Sequence, residues 1–214
     1  MGSCLLIGVA GGTGCGKTTL ISKISQEFGK TVTVLYHDNY YKKHVGMTYE
    51  ERAKLNYDSP DAFDTDRMVE DLKKLKAGEA IDCPVYDFTV HNRSDKVLHV
   101  EPSPIILVDG ILVLSDPRVC ALLDIKVFVD TDADTRLIRR IRRDMTERKR
   151  SLESILSQYE TTVKPMHDLY VEPCRRLADV VIPEGRPNDV AYRILSGSVS
   201  NYLSRAKNAV NGEE

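Results

Sequence analysis

Short apolar runs alternate along the chain with stretches whose hydrophobic residues recur at helical spacing. The runs Leu5–Ala10, Thr31–Leu35, Ile105–Val108, Lys126–Val129 and Asp179–Ile182 are mostly β-branched or aliphatic. Parallel strands read this way because helices cover them on both faces. Between them lie the predicted helices Lys17–Phe28, Thr65–Lys76, Asp116–Leu123, Asp132–Arg143, Leu152–Val163 and Asp189–Ala206. The alternation predicts an α/β fold, a parallel sheet with helices on both faces. One stretch breaks the rhythm. From Ile81 to Glu101 the apolar residues Val85, Phe88, Val97 and Val100 partly alternate around a polar centre, His91–Lys96. That pattern predicts an inserted antiparallel β-hairpin. No repeat, low-complexity tract or Pro/Gly/Ser linker divides the chain, so a single domain over 1–214 is expected, with a frayed polar tail Asn208–Glu214.

Composition narrows the classes. A chain of 214 residues buries roughly 70% of its unfolded surface and needs no disulfide or metal to fold. Its 42% hydrophobic and 29% charged residues argue against disordered and membrane classes. A net charge of -2 argues against a polycation that coats nucleic acid. Cys4, Cys15, Cys83, Cys120 and Cys174 are odd in number and never spaced CxxC, which reads as free thiols in a reducing compartment. No run approaches the ~20 apolar residues of a membrane span, and Cys4–Ala10 is too short for a signal-peptide core. A soluble, cytoplasmic protein without a membrane partner is expected.

Gly11-Gly12-Thr13-Gly14-Cys15-Gly16-Lys17-Thr18 fits GxxxxGK[ST], the phosphate-binding loop. With Gly at about 7% of residues, the bare pattern arises by chance in on the order of one chain per hundred. Here a strand pattern precedes it and a helix pattern follows, with Thr19 continuing the motif. The glycines let backbone N–H groups approach phosphate oxygens, and the helix N-terminus adds a favourable dipole. Lys17 is then expected to reach the β- and γ-phosphates and Thr18 to ligate Mg²⁺. A thiol at Cys15, on a helix N-terminus, is expected to be reactive if exposed. The fold class becomes a P-loop NTPase-type sheet.

The other groups are less decisive locally. A second acidic residue for the metal belongs at a neighbouring strand end, where Asp109 and Asp130 both stand. Asp130 is also well placed to start the next helix. Asp38 follows the second strand and, beyond its carboxyl end, can face the phosphates as a proton acceptor; a turn-forming role fits its neighbours equally well. Aromatics and polar groups interleave in Asn56–Asp64, Pro84–Phe88 and His91–Arg93. They could sandwich a planar base, or simply pack a loop and hairpin on the sheet. Arg136–Arg150 holds eight cations against Asp144 and Glu147, a local charge of +6. Unopposed like charges destabilise a helix, so an arginine-rich helical lid closing on phosphate is expected over about 136–163.

Together these residues resemble the uridine kinases (uridine–cytidine kinases) of the P-loop kinase superfamily. The likeness runs from about Leu6 to Leu203 and rests on GVAGGTGCGKTT, HDNYYK, NYDSPDAFD, PVYDFTVHNR, DGIL, RRIRRDMTERKRS, ILSQYETTVKP and ADVVIP. It implies transfer of the ATP or GTP γ-phosphate to the 5′-hydroxyl of uridine or cytidine, with Mg²⁺. It also implies a homotetramer and feedback inhibition by CTP or UTP. By the same resemblance Asp38 matches the catalytic base. Asp58, Tyr86, His91, Arg140, Arg143, Arg148 and Gln158 match nucleoside-site and lid positions, Tyr57 and Phe88 match aromatics near sugar and base, and Arg150 faces phosphate. Asp109 aligns with the metal-side acid, usually Glu, and so is chosen over Asp130. Lys149 stands where the family carries Gly, and Asn39 replaces a common Ser. Two other readings compete: a sister kinase acting on another small alcohol, and a nucleic-acid-binding ATPase using the arginine strip. The aromatic PVYDF segment argues against the first, and the slightly acidic total charge against the second.

Overall fold

The computed structural model of the chain describes residues 4–183 and 189–211. Five strands form one parallel sheet: β1 (Leu5–Ala10), β2 (Val32–Tyr36), β5 (Ile105–Asp109), β6 (Ile125–Asp130) and β7 (Val180–Pro183), in the order β2-β5-β1-β6-β7. The central strands bury both faces because successive side chains point to opposite sides. Leu6, Ile106, Val108 and Phe128 enter one apolar layer, with Met68 and Leu72 from helix α3 (Thr65–Lys76). Ile7, Val9, Leu107 and Val127 enter the other, with Ile21 and Ile24 from helix α1 (Lys17–Phe28) and Leu195 and Val199 from the C-terminal helix Asp189–Asn211. The alternation read from the sequence thus corresponds to a sheet covered on both sides.

The remaining strands, β3 (Ile81–Asp87) and β4 (Asn92–Val100), form the antiparallel hairpin. Its turn lies earlier than the polar centre suggests. Asn92–Lys96 belong to β4, and the chain reverses just before it, where His91 takes φ +49°. Polarity misplaced the turn because β4 is largely exposed and carries polar residues along its length.

Two helices match their predicted spans, α1 with no side-chain cap and α3 with one. In α3 the Asp64 side chain accepts the Arg67 N–H at 3.4 Å, and the helix matches its predicted span. A short helix α2 (Tyr49–Ala53), opened by a Thr48/Glu51 capping box, lacked the length for a periodic signal. Helix α4 (Pro117–Cys120) is shorter than predicted, and α5 (Ala133–Thr146) is longer. The largest departure follows α6 (Leu152–Gln158). The chain stays helical to Leu177 through two π-helical turns, Tyr159–Val163 and His167–Val171, around α7 (Lys164–Met166), then a 3₁₀ segment, Glu172–Leu177. Pro165 and Pro173 obscured that continuity, since proline ordinarily interrupts a helix interior. The C-terminal helix α8 (Asp189–Asn211) extends into the predicted tail, whose last residues, 212–214, lie outside the described residues. None of the described helices is long and apolar enough to cross a membrane.

Candidate active site

Strand order fixes where chemistry can occur. β1 lies between β5 and β6, so the loop after β1 opens into the crevice at the carboxyl ends of the strands. Tyr36 and Val9 both register with Asp109, which brings the turn after β2, the phosphate loop and the end of β5 to one edge. A cleft of about 400 Å³ lies there.

The loop itself is shaped from behind. Gly14 holds φ +78°, and a Cβ on it would stand 2.5 Å from the Arg136 carbonyl oxygen. A Cβ on Gly12 would meet the Arg136 guanidinium at 2.6 Å. Arg136 is buried, donates from Nε to the Thr131 carbonyl at 2.9 Å and lies 3.1 Å from His167 Nε2. Burial, then the neighbouring guanidinium, lowers the His167 pKa to about 4. This backing was not recognised in the sequence, where Arg136 read as one more lid cation. Lys17 Nζ donates to the carbonyls of Gly11 (2.8 Å) and Gly12 (3.4 Å) and lines the cleft beside Thr13, Gly14, Gly16, Thr18 and Thr19. Gly11, Gly12 and Cys15 stand behind that surface. The Cys15 side chain packs in the apolar core at 4% exposure, so the exposure that a reactive thiol needs is absent.

Three carboxylates line the cleft. Asp109 Oδ2 accepts from Thr18 Oγ1 at 3.4 Å. Burial raises the Asp109 pKa, and Lys17 opposes the rise. Burial, then Asp109, holds the Asp38 pKa up to about 6, against Lys17 and Arg148. Burial likewise raises Asp58, opposed by Arg140. Asp130, the other acidic candidate, pairs with Arg175 at 2.9 Å and does not line the cleft. Thr18 and Asp109 are adjacent hard oxygen donors at the mouth of a phosphate loop. That donor set fits Mg²⁺, which takes one or two protein oxygens and leaves the rest of its shell to phosphate and water.

Opposite the loop stands an aromatic wall. Tyr86 and Phe88 meet edge to face at 5.0 Å, Tyr57 stacks on His91 at 5.8 Å, and Tyr41 lies 4.9 Å from Tyr86. The Tyr57 hydroxyl donates to the His91 carbonyl at 3.1 Å. Tyr86 lines the cleft, and its buried hydroxyl has no hydrogen-bond partner of good geometry among the described residues, so it can serve a ligand. Burial, then Arg150 and Arg148, lowers the His91 pKa. Tyr41, Tyr36, Gly110, Ile111 and Arg139 also line the cleft. Tyr41 and Ile111 could have been suspected from HDNYYK and DGIL, where they adjoin residues already singled out.

The arginines close the third side, but not as expected. Helix α5 buries a charged stripe, Arg136, Arg140 and Asp144, one turn apart, and leaves Ile138 and Met145 about half exposed. Asp144 is 0% exposed and gathers the guanidiniums of Arg143 (2.8 Å), Arg148 (3.6 Å), Arg150 (3.6 Å) and Arg140 (3.7 Å). Gln158 Oε1 accepts from Arg140 (2.7 Å) and Arg150 (2.6 Å). The cluster therefore gathers around an internal counter-ion, and one carboxylate among four guanidiniums leaves an excess of positive charge. Arg140 also donates to Thr13 Oγ1 at 3.2 Å, and Arg148 lies over the Phe88 ring at 5.5 Å, so the arginine segment touches both the loop and the hairpin. Lys149, at φ +52°, takes the left-handed turn between α5 and α6.

Comparison with known proteins finds relatives over nearly the whole chain. The Phosphoribulokinase / Uridine kinase family matches residues 6–191. The chain is 51% identical to the uridine kinase of Streptococcus agalactiae over 204 residues, covering 95% of this chain and 98% of that protein. It is 47% identical to that of Bacillus cereus, with 95% and 97% covered. Its fold is shared with phosphoribulokinase from Rhodobacter spheroides (TM-score 0.62, 12% identity, 85% of this chain and 70% of that one). It is also shared with D-glycerate 3-kinase from Cryptococcus neoformans (0.59, 16%, 79% and 80%). On a match that spans nearly its whole length, the chain belongs to the phosphoribulokinase / uridine kinase family.

Proposed function

We propose that the protein is a nucleoside kinase that transfers the γ-phosphoryl group of ATP to the 5′-hydroxyl of uridine or cytidine. One observation carries the reading: Asp38 lies between a phosphate loop and an aromatic wall, with its pKa held up to about 6. A base poised near neutrality between donor and acceptor pockets can take the hydroxyl proton as the phosphoryl group arrives. Lys17 orients the phosphates, and Arg140, Arg143, Arg148 and Arg150 spread charge over the transferring oxygens. Tyr57 and Phe88 hold sugar and base, while Tyr86 and His91 read the base edge. Thr18 and Asp109 would hold Mg²⁺, which would supply charge neutralisation on the β- and γ-phosphates. The arginines line the cleft with Gln158 and converge on the buried Asp144 behind it, which disfavours a nucleic-acid face. GTP as alternative donor, inhibition by CTP or UTP, a homotetramer and a cytoplasmic setting rest on the family resemblance. A coupled assay over a nucleoside panel tests the reading: uridine and cytidine should turn over and adenosine should be poor. Equal rates with adenosine would remove the base-edge assignment.

A further inference from the structure

The turn that carries Asp38 is held from the far side by the hairpin, through a residue outside the cleft. Arg93, on β4, donates from Nε to the Tyr41 carbonyl at 2.9 Å and from Nη2 to the Tyr40 carbonyl at 3.2 Å. Its Nη1 donates to Asp64 Oδ2 at 3.0 Å. The side chain is only 11% exposed. The same turn closes on itself, with Tyr41 N–H donating to the Asp38 carbonyl at 3.3 Å. A second tie comes from the other hairpin strand. Where the β3/β4 register shifts between Pro84 and Tyr86, the Tyr86 N–H donates to Asn39 Oδ1 at 3.3 Å. Asp64 completes the frame: its N–H donates to the Tyr40 carbonyl at 2.7 Å while its carboxylate caps α3.

We infer that Arg93 is a positioning residue that locks the base-contacting hairpin to the Asp38 turn, so that seating the base places the acceptor hydroxyl on the carboxylate. The inference rests on the kinase reading above. The guanidinium suits this role because its planar fork presents several donors in a fixed geometry, which a lysine ammonium cannot reproduce. Three acceptors in two chain segments are engaged at once, so the turn cannot shift relative to the hairpin without breaking a bond. Tyr86 and Asn39 make the coupling two-sided: the tyrosine that reads the base is tied through its backbone to the neighbour of Asp38. Positioning matters at this scale because a displacement of about 1 Å at the reacting atoms costs on the order of a hundredfold in rate.

The test is a double-mutant cycle of Arg93→Lys with Asp38→Asn, read as kcat and KM for uridine. Arg93→Lys alone should lower kcat by about tenfold to a hundredfold, with KM changing less than about threefold. In the Asp38→Asn background the same change should cost less than about twofold, because a misplaced base is no worse than an absent one. Full multiplication of the two effects would make Arg93 a general structural residue and overturn the inference, as would an effect confined to KM. If Arg93→Lys does not fold, Asn39→Ala breaks the second tie and should show the same non-additivity with Asp38→Asn. The single variants separate the two levels of the argument. Wild-type kcat in Asp38→Asn would remove the base assignment itself. An impaired Asp38→Asn beside an unimpaired Arg93→Lys would remove only the role of Arg93.

Discussion

Asp38 must be ionised to accept a proton, yet burial and Asp109 hold its pKa up to about 6. The rate should therefore rise as pH passes through about 6 and level off above it. Stability runs the other way. The unfolded carboxyl ionises near 3.8, so between about pH 4 and 6 the folded state holds a proton that the unfolded state has lost. Stability then falls as pH rises through that window. Asp38→Asn should lower kcat by about 10²–10⁴-fold and raise the melting temperature at pH 7.5. A variant less stable than the wild type at that pH would contradict the desolvation argument. Sequence could nominate Asp38 only through its place after a strand, since an aspartate in a turn looks the same whatever it faces. Arg93 was less legible still, because its partners lie in segments roughly thirty and fifty residues away.

Helix α5 shows what an element can hide. Pattern reading assumes that the apolar stripe points inward, but α5 turns Arg136, Arg140 and Asp144 inward and leaves Ile138 and Met145 half exposed. The excess of arginine was legible, whereas its counter-ion was not, because a lone aspartate among arginines reads as dilution of charge. Asp144→Asn would leave four guanidiniums around a neutral amide. Breaking a buried ion pair in this way should destabilise the protein by about 3 kcal/mol in urea titration, with partial recovery in high salt. No change in midpoint would mean that the arginines do not depend on Asp144. Lys149 carries a test of the proposed lid. Its φ of +52° costs a non-glycine residue about 1 kcal/mol, and glycine's added chain entropy offsets about as much. Lys149→Gly should thus leave stability nearly unchanged while altering the lid's opening and closing rate, measurable by stopped-flow with a donor-site fluorophore. Identical kinetics would show that the turn does not gate closure.

At the scale of the whole molecule, the parallel sheet was legible because each of its strands is a compact apolar run. The phosphate loop was legible because glycine spacing is a chemical requirement. The strand order was not, since which strand neighbours β1 depends on contacts between distant segments. That order matters most for function. Placing β5 beside β1 sets Asp109 against Thr18, and placing β2 beside β5 brings the Asp38 turn to the same edge. The acceptor pocket follows from the hairpin laid against that turn. Direct transfer of the γ-phosphoryl group from ATP on the phosphate loop to a nucleoside 5′-hydroxyl can be followed with γ-³²P-labelled ATP. With uridine present, label should appear in the 5′-monophosphate, and 5′-deoxyuridine, which lacks the accepting oxygen, should yield no labelled nucleotide. Release of label as inorganic phosphate at the same rate with or without uridine would contradict it.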